Sequence, residues 1–173
     1  KLGPDHPTLA FALHGLGSRP RELPPTWFYD NVGCRLFDAI TELDEYYPTR
    51  AERAILLAYG DQIAKASQAD TFIELGSGTC DKTRHLLDAM GQLGQLERYV
   101  PFDVAEPTLR QAADQLVNEY PGLVVHGVVG DFERDLERMP DGDRRLFAFL
   151  GGTIGNFYPE ERGDVEDDML DEA

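Results

Sequence analysis

The stretch Thr71-Phe-Ile-Glu-Leu-Gly-Ser-Gly-Thr79 decides the fold. Its first five residues are mostly apolar, β-branched or aromatic, which is typical of a short buried strand, and two glycines follow them. Glycine has no Cβ and adopts a positive φ easily, so Gly76 and Gly78 would let a ligand approach the backbone closely. A lone Gly-x-Gly turn is a weak signal, because many such turns only join a strand to a helix. The stretch therefore predicts a strand, a turn and a helix, with the turn as a candidate ligand loop.

Three further strands are predicted after this unit. They are the apolar runs Tyr99–Phe102, Leu123–Val129 and Arg145–Leu150, and helices are predicted near Asp81–Leu93 and over Glu106–Glu119. Strands that alternate with helices of about 10–15 residues form βαβ units in a parallel sheet. We therefore expect a doubly wound α/β domain built on four parallel strands.

The chain before Thr71 has the periodicity of helices. Helices are predicted over Thr8–Gly15 and, from apolar residues at helical spacing, over Asn31–Leu43. Thr49 and Glu52 have the spacing of a capping box, which would start a third helix that runs to about Ser67. The predicted organisation is a helical section at residues 1–67, an α/β domain at 68–157 and a tail at 158–173.

Composition and charge exclude several classes of protein. The 173 residues suffice for one domain, and their formal net charge of −16 repels a phosphate backbone, so no nucleic-acid partner is expected. No apolar run approaches the roughly 18 residues that a membrane span needs. Cys34 and Cys80 lie in no disulfide-like or metal-binding pattern, so we expect no metal and a cytoplasmic location. The tail from Tyr158 to Ala173 carries eight acidic residues against one arginine and is predicted to be disordered.

Small or acidic residues follow each predicted strand, at the edge where open α/β sheets bind ligands. Lys82 suits an anionic group of a ligand, although a solvated surface lysine is an equal alternative. Asp103 suits ribose hydroxyls, a helix N-cap, or both roles together. Asp131 offers an acceptor for an exocyclic amine and Phe132 an apolar face for a purine, but Phe132 also suits an ordinary core. Asn156 either orients a polar substrate or is a turn residue.

Position 81 separates two classes of nucleotide ligand. A dinucleotide fingerprint requires glycine there, and this chain has Asp81, which disfavours a nicotinamide-dependent oxidoreductase. A phosphate-free ligand such as S-adenosylmethionine would instead place its methionine portion at the loop Gly76–Thr79.

Six motifs occur in a fixed order between about Leu23 and Pro159. They are Leu23-Pro-Pro-Thr-Trp-Phe-Tyr-Asp30, Glu45-Tyr-Tyr-Pro-Thr-Arg50, Glu74-Leu-Gly-Ser-Gly-Thr79, Val100-Pro-Phe-Asp-Val104, Gly130-Asp-Phe132 and Thr153-Ile-Gly-Asn156. Together they resemble the histidine-specific, S-adenosylmethionine-dependent methyltransferases of ergothioneine biosynthesis. The resemblance implies a Rossmann-like class I methyltransferase fold. It also implies three methyl transfers to the α-amino group of L-histidine, giving hercynine.

The same resemblance implies a set of site residues. The positions that contact the methyl donor correspond to Gly76, Lys82, Asp103, Asp131 and Phe132. Tyr46 and Asn156 correspond to positions that hold the histidine, and Tyr29 is a further candidate for that pocket. No residue is assigned as a general base, because a sulfonium already carries an activated methyl group and the protein mainly aligns the amine with it.

The family continues beyond the point where this chain stops, and the amphipathic helix expected after Pro159 is not evident. We therefore expect an incomplete parallel sheet whose apolar edge, Leu146–Leu150, is open to self-association. The working hypothesis is a truncated or frame-shifted member of the family. The alternative function is a catalytically inactive member that binds only the methyl donor or a partner protein.

Overall fold

The computed structural model describes residues 7–23, 25–131, 134–142, 144–156 and Gly163. The α-helices and strands are α1 Pro7–Gly17, α2 Asn31–Thr41, α3 Pro48–Ser67, β1 Thr71–Leu75, α4 Arg84–Gln92, β2 Arg98–Asp103, α5 Glu106–Glu119, β3 Val124–Val125, β4 Val128–Val129 and β5 Arg145–Ala148. Single 3₁₀ turns cover Pro25–Phe28, Leu136–Arg138 and Thr153–Asn156. The division into three segments stays a prediction, and Phe132 and all of the acidic tail except Gly163 lie outside the described residues.

The described strands form one parallel sheet in which β2 and β5 flank β1. β3 and β4 pair in turn with β2, on its side away from β1. Thr71 of β1 lies opposite Arg98 of β2 and Arg145 of β5. Because parallel strands all end at the same edge, the segments that follow β1, β2, β4 and β5 come together there. The sheet and its alternation with helices confirm the predicted α/β class.

Successive side chains of β1 and β2 enter two different cores, as the period of two in a strand requires. Phe72 and Tyr99 are fully buried in a cluster that includes side chains of α3, α4 and α5. Ile73 and Val100 point to the other face, where they pack with residues of the segment Leu136–Met139. Burial on both faces explains why these strands read as nearly continuous apolar runs.

The predicted strand Leu123–Val129 is interrupted, and this corrects the expectation of one continuous strand. β3 pairs with the beginning of β2 and β4 with its end, and no ladder pairing joins them at His126 and Gly127. The interruption faces Pro101, the fourth residue of β2. Proline has no N–H to donate, so the hydrogen-bonded ladder has a gap at this point.

Two predicted helix starts are also wrong. The residue that caps α3 is Tyr47, which makes no side-chain capping bond, so Thr49 lies inside the helix and no capping box forms with Glu52. Helix α4 begins at Arg84 rather than near Asp81, because Cys80 has a φ of 58° and a turn precedes the helix. Lys82 consequently lies in this turn, next to the cleft described below.

Candidate functional site

A cleft of about 1550 Å³ runs along the carboxyl edge of the sheet. Its sheet-side wall includes the turn after β1, Asp103 at the end of β2, Asp131 after β4, and Gly151 and Gly152 after β5. Residues of α2, of α3 and of the segment between them form the opposite wall. Segments that are far apart in sequence therefore line one hollow.

The turn after β1 brings backbone groups to the cleft. Gly76 and Gly78 have φ values of 70° and 52°, which confirms the expectation that both positions use the freedom of glycine. The N–H of Gly76 donates to the carbonyl oxygen of Phe102 over 2.8 Å, so β2 holds the turn in place. A Cβ built on Gly78 would have no atom within 4 Å. The backbone at Gly78 is therefore open to close approach by a ligand.

Asp103 joins this turn to the start of α5. Its Oδ2 accepts a hydrogen bond from the Gly78 N–H and its Oδ1 one from the Ala105 N–H, each over 2.8 Å. The residue that caps α5 is Ala105, so the predicted N-cap role of Asp103 is wrong. A carboxylate offers about four acceptor sites, and these two bonds leave capacity for the hydroxyls of a ribose.

Lys82 forms an ion pair with a residue of α3 in the wall of the cleft. Its Nζ contacts Oε2 of Glu52 on α3, and both side chains are largely buried, with about a fifth of their surface exposed. The other oxygen of Glu52 accepts a hydrogen bond from the N–H of Gly151 over 2.5 Å. The alternative of a freely solvated surface lysine is therefore wrong.

The contacts of Glu52 differ from those that its local sequence predicts. The spacing from Thr49 predicts a capping box, whereas the carboxylate contacts residues that lie 30 and 99 positions further along the chain. A pattern confined to neighbouring residues carries no signal for such contacts.

Glu74 also lines the cleft, and its contacts are likewise not predicted from the sequence. It is 2% exposed, and its carboxyl accepts hydrogen bonds from Thr83 over 2.6 Å and from Tyr99 over 2.5 Å. Burial raises the pKa of Glu74, and the two hydrogen bonds lower it. The effect of burial is the larger one, so the pKa is about 7. This carboxyl ties the last residue before α4 to β2 underneath the glycine turn.

The residues predicted to hold the substrate are described in part. The ring of Tyr46 packs edge-on against Phe37 with centroids 6.1 Å apart. Its hydroxyl lies 3.8 Å from the position that a Cβ on Gly152 would take. Asn156 ends the 3₁₀ turn that follows Gly152, and its side chain lies outside the described residues.

The cleft therefore brings together Gly76, Lys82, Asp103, Asp131 and Tyr46, and Tyr29 also lines it. Their roles toward a ligand stay predictions. Within the described ranges, His, Cys, Asp and Glu side chains form no cluster suited to a metal ion. In the same part of the chain, no helix combines the length and the apolar character that crossing a membrane requires.

The family model and the curated relatives that match this chain point to the same family. Residues 9–171 match the model of a family described as histidine-specific methyltransferase, SAM-dependent. A histidine N-alpha-methyltransferase of Mycobacterium tuberculosis is 52% identical over 164 residues, which are 93% of this chain and 51% of the relative. Its counterpart in Mycolicibacterium smegmatis is 50% identical over 157 residues, covering 91% of this chain and 49% of the relative.

The chain thus spans about half the length of these two relatives. Among solved structures, a plantazolicin methyltransferase in complex with SAH superimposes with a TM-score of 0.51 at 16% identity, covering 85% of this chain and 51% of that one. This likeness bears on the fold, which is that of Rossmann-like S-adenosylmethionine-dependent methyltransferases. The chain belongs to the family of histidine-specific, S-adenosylmethionine-dependent methyltransferases.

Proposed function

We propose that this chain serves the S-adenosylmethionine-dependent methylation of the α-amino group of L-histidine, giving hercynine, as in the ergothioneine-pathway enzymes that it resembles. The observation that carries the proposal is the convergence of Gly76, Lys82, Asp103 and Asp131 on one cleft. The resemblance implies that these positions and Phe132 contact the methyl donor, and the presence of the four described residues in one cleft supports the proposal.

The geometry of the cleft suits each part of the donor. The open backbone at Gly78 allows close approach of the methionine portion, and the ammonium group of Lys82 lines the same cleft. The acceptor capacity left on Asp103 suits the two ribose hydroxyls. Asp131 and Phe132 would complete the site at the adenine.

The substrate side of the proposal places histidine between Tyr46 and the segment that ends at Asn156. A bound donor supplies a methyl group already activated on a sulfonium. The protein therefore has to align an unprotonated amine with that methyl group, and the hydroxyl of Tyr46 close to Gly152 is a suitable group to orient the substrate. No side chain is assigned as a general base.

A cytoplasmic location belongs to the same proposal, and the free thiols of Cys34 and Cys80 support it.

The direct test is product formation. The chain is incubated with S-adenosylmethionine and L-histidine, and mass spectrometry follows mono-, di- and trimethylated histidine. We expect all three products in sequence, and their loss in Asp103→Asn. Binding of S-adenosylhomocysteine without any methylated histidine would instead support the inactive, donor-binding alternative, which the names of the relatives do not favour. Absence of both binding and products would contradict the proposal altogether.

A further inference from the structure

The ion pair between Glu52 and Lys82 places opposite charges side by side in the wall of the cleft. We propose that Glu52 is a specificity-determining residue that binds the α-ammonium group of the donor's methionine portion while Lys82 binds its α-carboxylate. This inference rests on the proposed function, because it assigns the amino-acid end of the donor to this part of the cleft.

The carboxylate of Glu52 is held in place from two sides. Lys82 contacts one oxygen and the backbone N–H of Gly151 donates to the other. A Cβ built on Gly151 would lie 3.3 Å from Nζ of Lys82, so the glycine allows the loop after β5 to come this close. Glu52 thus sits where α3, the turn before α4 and the loop after β5 meet.

Both members of the pair retain hydrogen-bonding capacity toward the cleft. A carboxylate offers about four acceptor sites and a lysine ammonium three donors. The contacts with Lys82 and Gly151 use two of the acceptor sites of Glu52, and the ion pair uses one donor of Lys82. The two side chains are 23% and 22% exposed, so a ligand in the cleft can reach them.

The charges of the pair match those of an α-amino acid. An isolated lysine would attract the carboxylate of such a zwitterion and repel its ammonium group. With Glu52 beside Lys82, the ammonium group of the ligand would face the carboxylate of Glu52, and its carboxylate would face the ammonium group of Lys82. Groups of like charge would then lie further apart than groups of opposite charge. The pair therefore favours ligands that carry both groups over nucleosides that carry neither.

A purely structural role for Glu52 makes a different prediction. If the carboxylate only held α3 against the loop after β5, its removal would lower the affinity for every ligand of the cleft to a similar degree. If Glu52 recognises the ligand, only ligands with an α-amino group should lose affinity.

The test is calorimetric titration of the wild type and Glu52→Gln with three ligands. These are S-adenosylhomocysteine, its analogue without the α-amino group, and 5′-methylthioadenosine, which lacks the whole amino-acid end. We expect the wild type to bind the deaminated analogue about tenfold more weakly than S-adenosylhomocysteine, as for loss of a charge-assisted hydrogen bond. In Glu52→Gln this preference should disappear, while the affinity for 5′-methylthioadenosine stays the same. Asp61→Asn removes an exposed carboxylate from the same helix and should behave as the wild type.

The outcomes separate the inference from the proposed function. A wild type that binds no S-adenosylhomocysteine would overturn both. A wild type that binds it while Glu52→Gln keeps the preference for the amine, or weakens all three ligands equally, would overturn the role of Glu52 alone. Circular dichroism checks the fold of the variant. If Glu52→Gln does not fold, equal affinity of the wild type for S-adenosylhomocysteine and its deaminated analogue would still overturn the inference.

Discussion

The parallel sheet and helix α2 differ in the burial of their apolar side chains. In β1 and β2, Phe72, Ile73 and Val100 have no exposed surface. In α2, Leu36 is 60% exposed and Leu43, just beyond its end, is 52% exposed, although both fit the apolar stripe that predicted the helix. Periodicity thus identifies the apolar face of an element but does not say what covers that face.

The largest expected effect compares one leucine from each region. Leu87 of α4 is fully buried against the sheet, whereas Leu36 of α2 is mostly exposed. Leu87→Ala removes buried methyl groups and leaves a cavity, so we expect a loss of about 2–5 kcal/mol in the free energy of unfolding. Leu36→Ala should change it by less than about 0.5 kcal/mol. Urea denaturation measures both, and equal losses would show that the face of α2 is covered in solution.

A second contrast concerns the pH dependence of stability. The pKa of Glu74 is about 7 in the folded chain, above its usual value of 4.5. At a pH below 4.5 the Glu74 carboxyl is protonated in both the folded and the unfolded chain, so no charged group has to be buried on folding. As the pH rises from 4.5 to 7, the unfolded chain releases this proton first, so stability falls by at most about 3 kcal/mol and then levels off.

Glu74→Gln does not titrate and should remove this fall, as measured by urea denaturation at a series of pH values. Glu42→Gln, which alters an exposed carboxyl just after α2, is the matched control and should keep the dependence of the wild type. A fall of the same size in Glu74→Gln would show that another group causes it.

The smallest expected effect uses one substitution at two glycines. Gly78 has a positive φ, so Gly78→Ala should cost about 1 kcal/mol of stability through backbone strain. Gly17 ends α1 with open space around it and no positive φ, so Gly17→Ala should cause no loss. Thermal unfolding compares the two variants. Similar results at both positions would mean that the turn relaxes without strain.

The elements predicted most accurately are those with strong local signals. The bounds of β1 and α5 are those that the sequence predicts, because a short apolar run ends at Gly76 and an amphipathic stretch begins at Glu106 beside a proline. The placement of Gly76 and Asp103 at one edge follows from the parallel topology alone. This part of the candidate site was therefore accessible from sequence.

The remaining features depend on contacts between distant residues. Glu52 fits a capping box locally, but Lys82 and Gly151 bind its carboxylate instead. The break between β3 and β4 depends on Pro101 in the neighbouring strand, which the apolar run Leu123–Val129 does not reveal. Whether a residue makes its local contact or a contact with a distant residue can be seen only in the folded chain, where the distant partners lie together.

We propose that the carboxyl edge of the sheet holds the methyl donor. Calorimetric titration with S-adenosylhomocysteine tests this proposal, with Asp103→Ala compared with the wild type and Asp114→Asn, which alters an exposed carboxylate of α5, as the control. We expect one binding site in the wild type and in the control, and a loss of at least tenfold in affinity in Asp103→Ala. No binding to the wild type, or equal affinity in all three proteins, would contradict it.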